Sequence, residues 1–159
     1  MRRRSYKHAP YDWIFVPDGG AQVEDKSGTA QDYFNPNGSF VSQLRWRDIA
    51  TRQFEWLLLF GVEDPPEVTP VTQDKLLCWL LPKNIARSIL NKSAGGSIVY
   101  TLKNEGYFAV NHRWKARLLD CGRLTYAQLY QECEKGTLEH FRAARYPRTE
   151  TIGASYARQ

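Results

Sequence analysis

The sequence has 159 residues, of which 42% are hydrophobic and 13% aromatic, with a formal net charge of +5. This length suits one domain with its own core, and the apolar content excludes a disordered chain. The longest apolar run, residues 56–60, is too short to span a membrane, and no apolar block of a secretory signal follows the N-terminus. Three cysteines, Cys78, Cys121 and Cys133, lack zinc-site spacing. We therefore expect a cytoplasmic protein with no membrane partner, metal or other cofactor.

The positive charge is unevenly distributed along the chain. Residues 1–10 carry four basic side chains and no acidic one, and residues 11–75 have a net charge of −6. Residues 76–123 carry eight basic and two acidic side chains, a net charge of +6. A basic central region predicts a surface that faces a polyanion or an acidic protein partner.

Three parts follow from this pattern: a basic N-terminal arm (1–10), a single globular domain (11–147) and a C-terminal tail (148–159). Short cationic arms often bind phosphates and become ordered only when bound. The arm contains three consecutive candidates for phosphate contact, Arg2, Arg3 and Arg4.

The first part of the domain combines strand and helix patterns. An aromatic and β-branched run at 11–16 predicts a strand. Residues 19–38 are rich in Gly, Asp, Gln and Asn and predict a long loop, followed by a short strand at 39–46. Asp48 suits the N-cap of a helix over 49–60, whose apolar second half predicts a central core helix.

The central part predicts two further helices and a hairpin. Thr72 is a capping residue for the second helix, which Pro82 interrupts, and a third helix is predicted over 83–91. Two β-rich runs within 97–113 surround Gly106, which suits the left-handed position of a hairpin loop. Three helices followed by a hairpin is the order of a winged helix-turn-helix.

The C-terminal part predicts a helix over 126–135, since Thr125 and Gln128 have the spacing of a capping box. A shorter helix is predicted over 137–145. The predicted fold class is therefore α+β, with a winged-helix-like core of three helices plus a β-hairpin, N-terminal strands and a C-terminal helical extension.

The candidate nucleic-acid-binding residues lie on the third helix and around the hairpin. Arg, Asn and Ser side chains can bond base edges, and the polar face of the helix presents four of them: Asn84, Arg87, Ser88 and Asn91. Basic side chains that could hold phosphates flank the helix and the hairpin: Lys83, Lys92, Lys103, Arg113 and Lys115.

No catalytic motif accompanies these residues. The sequence has no phosphate-binding loop and no His/Cys group at metal-ligand spacing, and His112 with Cys121 forms no recognised catalytic pattern. The lead hypothesis is a non-enzymatic, nucleic-acid-binding accessory protein that uses residues 76–117 and the arm, with DNA and RNA both open. The alternative is a structural subunit of a large assembly, a virus or phage particle or a ribonucleoprotein, with protein partners. An enzyme of unfamiliar type is the remaining rival.

Overall fold

The computed structural model describes residues 2–3, 13–15, 20–63, 72–92, 95–105, 113–135 and 138–146. Within these residues the chain is mainly β, with two sheets and helices packed against them. The strands are β1 (Arg2–Arg3), β2 (Trp13–Phe15), β3 (Ala21–Thr29), β4 (Gln31–Phe34), β5 (Phe40–Trp46), β6 (Trp56–Val62), β7 (Leu77–Pro82), β8 (Ile98–Glu105) and β9 (Arg123–Leu124). The helices are α1 (Lys83–Ser88), α2 (Arg113–Cys121), α3 (Tyr126–Glu134) and α4 (Glu139–Arg145).

The larger sheet has six strands in the order β1-β2-β3-β6-β7-β9, and the smaller has three in the order β4-β5-β8. In the larger sheet β3 and β6 are parallel, whereas the other neighbours are antiparallel. One residue, Ala30, separates β3 from β4, so the chain passes directly from the larger sheet to the smaller one.

Aromatic side chains fill the space between the two sheets. Trp46 of β5 meets Trp79 of β7 edge to face, with ring centroids 5.2 Å apart. The Trp46 indole donates a hydrogen bond of 2.9 Å to the carbonyl of Phe60. A Cβ atom on Gly61 would lie 2.6 Å from a methyl of Leu44, so glycine lets β5 approach β6 closely. One part of the core therefore lies between the two sheets, and helical residues such as Leu129 and Phe141 extend it.

The predicted winged-helix core is wrong, because two of its three helices are absent from the described residues. Strand β6 occupies residues 56–60 of the segment predicted as the first helix, and Asp48, the predicted N-cap, has a φ of 58°. In place of the second helix there is a short 3-10 turn, Gln73–Lys75, followed by β7. Both strands are buried on two faces, so their side chains are continuously apolar and show no period that separates strand from helix.

The prediction of a long loop also needs correction. Strands β3 and β4 replace most of the loop predicted over 19–38, since pairing with distant strands overrides their polar composition. Strand β8 contains the first strand of the predicted hairpin and pairs with β5. The predicted hairpin loop at Gly106 and the second strand after it lie outside the described residues, as do Arg4 and the tail.

Several local predictions are confirmed. Strands β2 and β5 and helices α1, α3 and α4 lie within their predicted segments. Thr125 and Gln128 form the expected capping box, with hydrogen bonds of 3.1 and 2.9 Å. Among the described residues, no helix combines the length and the apolar character that crossing a membrane requires.

Candidate functional site

Helix α1 follows β7 directly and uses one of its polar side chains to hold a neighbouring turn. Its buried residues Ile85 and Ala86 anchor it to the core. The Arg87 guanidinium donates hydrogen bonds to the carbonyls of Ala50 (3.0 Å) and Arg52 (2.8 Å). It also lies 5.2 Å from the centroid of the Phe54 ring. Arg87, expected to read bases, is therefore engaged with the chain's own backbone.

The other polar residues of α1 lie on its surface. Lys83, Asn84 and Ser88 are exposed. The Ser88 hydroxyl donates a hydrogen bond of 2.7 Å to the carbonyl of Ile85, one turn earlier. The Lys83 backbone N–H donates to the carbonyl of Glu55, so the start of α1 is fixed to the residue before β6.

A direct contact joins the end of the α1 segment to the start of α2. The Lys115 ammonium donates a hydrogen bond of 2.7 Å to the Asn91 side-chain oxygen and lies 5.7 Å from the centroid of the Trp114 ring. Partial burial lowers the pKa of Lys115. Asn91 is itself fixed, because its backbone exchanges two hydrogen bonds with Ser97, of 2.7 and 2.9 Å. Two segments separated in sequence thus form one surface.

The end of β5 adds a third basic segment. Trp46 pairs with Ile98, and the Ile49 N–H donates to the carbonyl of Gly96, so the intervening Arg47 lies beside Ser97. Because Ser97 also bridges to Asn91, two inter-strand spacings separate the backbones of Arg47 and Asn91, about 10 Å.

We call this region the basic junction: Arg47, Lys92, Arg113, Lys115 and Arg117. All are exposed except Lys115, which is half-buried. The exposed Asp48 also lies here and offsets one of the positive charges. Sequence reasoning missed Arg47, because it belongs to the net acidic part of the chain and only the pairing of β5 with β8 brings it to the site.

The remaining predicted site residues lie elsewhere. Lys103 lies near the far end of β8, five residues beyond the strand's first residue, which is about 17 Å along the strand. Arg2 and Arg3 form the edge strand β1 and pair with Ile14 and Trp13. None of these three joins the basic junction through a described contact.

A second arrangement lies on the outer face of the smaller sheet. The Arg45 guanidinium donates two hydrogen bonds to the Gln43 side-chain oxygen, of 3.1 and 2.9 Å, and lies 3.8 Å from the centroid of the Tyr33 ring. Gln43 in turn donates to the Thr101 hydroxyl at 3.3 Å. Leu44 and Trp46, which alternate with Gln43 and Arg45 along β5, are buried in the core, so Arg45 points away from it and is exposed, whereas Gln43 beneath it is only 9% exposed.

The described residues contain no group of three or more His, Cys, Asp or Glu side chains able to hold a metal ion. The buried carboxylate of Glu24 lies 3.4 Å from Arg52 and 3.7 Å from Lys26. The attraction of these two cations offsets the cost of removing the carboxylate from water. Comparison with protein-family models, curated proteins and solved structures gave no match for this chain.

Proposed function

We propose that this protein is a nucleic-acid-binding accessory protein and that the basic junction holds the phosphates of its partner. The observation that carries the proposal is the contact between Lys115 and Asn91, together with the bridge from Asn91 to Ser97. These contacts gather basic side chains from three separate segments of the chain onto one surface. Phosphate chains are the partners that such a surface recognises by charge.

The spacing of the charges supports this role. Asn91, which precedes Lys92 and contacts Lys115, lies about 10 Å from Arg47 at the backbone. This is about the Debye length at 0.1 M salt, so at and below that salt concentration the charges of the junction act on a polyanion together. Four of its five basic residues are exposed and can reach phosphate oxygens without rearrangement of the core. Lys115 has a lowered pKa because of burial, and an arriving phosphate would favour its charged form.

The other candidates take secondary roles in this proposal. Arg87 positions the turn that follows Arg47. Base reading by α1 is left out because it depended on the winged-helix order. The arginines of the N-terminal arm would add phosphate contacts at a distance from the junction.

The test is a titration of short labelled duplexes and single strands by fluorescence anisotropy. We expect log K to fall linearly with log salt, with a slope of about −0.9 per neutralised phosphate for duplex and about −0.7 for single strands. Replacing Lys92 and Arg113 together by Gln should reduce the magnitude of the slope by roughly one to two units.

Lys75→Gln is the matched control, because Lys75 is an exposed basic residue in the 3-10 turn before β7 and lies outside the basic junction. It should leave the slope unchanged. If the wild-type protein binds neither duplex nor single strands at about 50 mM salt, the proposal is wrong. The structural-subunit hypothesis would then take its place.

A further inference from the structure

We propose, building on the nucleic-acid function above, that the bound partner is single-stranded and that its bases stack on the outer face of the smaller sheet. The proposed platform consists of Tyr33 and Arg45, which form a stack of a planar cation on an aromatic ring, 3.8 Å apart. Single-strand-binding proteins combine planar side chains of this kind with a basic path for the backbone.

The platform is preorganised. Both hydrogen bonds from Arg45 end on the same Gln43 oxygen, and Gln43 is held in turn by Thr101 on the neighbouring strand. The guanidinium plane is therefore fixed before a ligand arrives. Arg45 itself is exposed, so a base can lie on the side of the guanidinium away from the Tyr33 ring. Little conformational entropy is lost on binding such a site.

The platform and the basic junction are parts of one surface. Arg45 and Arg47 flank the buried Trp46 at the end of β5, both are exposed, and their backbones are about 7 Å apart along the strand direction. A strand whose bases rest on Arg45 therefore has its phosphates within reach of Arg47 and of the lysines beyond it.

The chemistry of this face favours a single strand over a duplex. In a duplex the base faces are stacked on one another and cannot meet a flat protein surface, whereas a single strand leaves them accessible. The exposed hydroxyl of Thr101 adds a hydrogen-bonding group beside the stack. DNA and RNA share this chemistry, so the sheet face alone accommodates either.

The experiment compares two variants with a control in the full-length protein. Arg45→Lys keeps the positive charge but removes the planar guanidinium group. Tyr33→Leu keeps an apolar side chain but removes the aromatic ring. Phe34→Leu is the control, because Phe34 is the next residue of β4, points to the opposite face and is 70% exposed. Urea unfolding of all three variants establishes that each is folded before its affinity is compared.

We expect the two platform variants to weaken binding of single-stranded oligonucleotides by about 5- to 100-fold, the loss of roughly one stacked base. Their affinity for duplex should change less than about twofold, and Arg45→Lys should keep the salt slope of the wild type. Parallel titrations of DNA and RNA strands of one sequence identify the preferred polymer by the tighter affinity.

Two results would overturn the platform while leaving the basic junction intact. One is duplex binding as tight as single-strand binding in the wild type. The other is single-strand affinity in Arg45→Lys and Tyr33→Leu that matches the Phe34→Leu control. Absence of any binding by the wild type would instead refute the proposed function itself.

Discussion

Replacing Arg87 by Met separates a structural role from a role in base reading. Methionine keeps most of the aliphatic length and removes the guanidinium, with its hydrogen bonds of 3.0 and 2.8 Å to the carbonyls of Ala50 and Arg52. Hydrogen bonds to charged groups contribute about 1.5–3 kcal/mol each when well shielded. One of these is exposed, which reduces its share, and the contact with Phe54 adds about 0.5 kcal/mol. We expect a loss of about 2–3 kcal/mol in the free energy of unfolding.

The assay is urea unfolding followed by tryptophan fluorescence, with the m-value unchanged between wild type and variant. Lys83→Met is the matched control, since Lys83 is an exposed basic residue on the first turn of the same helix. The free energy of unfolding of Lys83→Met should stay within about 0.5 kcal/mol of the wild-type value. Equal stability of the two variants, with altered base preference in Arg87→Met alone, would refute the structural assignment of Arg87.

The remaining predictions concern the C-terminal part of the fold. Thr125→Ala should destabilise the protein by about 1 kcal/mol in urea unfolding, because the Gln128 N–H loses its acceptor; an unchanged midpoint would contradict the capping role. Gly122→Ala should cost about 2 kcal/mol or more, because the new Cβ would lie 2.5 Å from the carbonyl oxygen of Leu80, and soluble protein of wild-type melting temperature would show that this packing is looser than described. Burial raises the pKa of Tyr146, whose hydroxyl donates a hydrogen bond of 2.6 Å to Leu80, so the folded state holds this proton more tightly than the unfolded state. The contribution of the protonated Tyr146 to the free energy of unfolding is fully present below about pH 10 and should be lost as the pH rises further. Tyr146→Phe should therefore flatten that part of a curve of stability against pH. If the variant loses as much stability at alkaline pH as the wild type does, other groups cause the loss.

The sequence correctly predicted the elements whose formation depends on residues close together in the chain. The capping box before α3 joins side chain and backbone within four residues, and its polar atoms meet regardless of what the rest of the chain does. The β-branched and aromatic residues of β2 likewise predicted a strand without knowledge of its partners. Pro82 correctly predicted the boundary at which α1 begins, because proline lacks the backbone N–H that a position inside a helix requires.

The basic character of residues 76–123 was also evident from the sequence, but its arrangement was not. The junction depends on Lys115 reaching Asn91 and on Arg47 lying beside Ser97, and the position of Arg47 depends on the pairing of β8 with β5. That pairing joins residues more than fifty positions apart, so no window of the sequence contains it. The stack of Arg45 on Tyr33 has the same origin, since only the β4–β5 register sets the two side chains on one face.

The sequence by itself determined the distribution of charge and the helix α3 with its own capping box. Tertiary structure decided whether the apolar runs of β6 and β7 became helices or strands. Their residues are covered on both faces, and burial on two sides removes the polar positions from which a period of two or 3.6 residues could be read. The polar β3 became a strand for the complementary reason: its pairing with β2 and β6 supplies hydrogen bonds that its own composition does not predict.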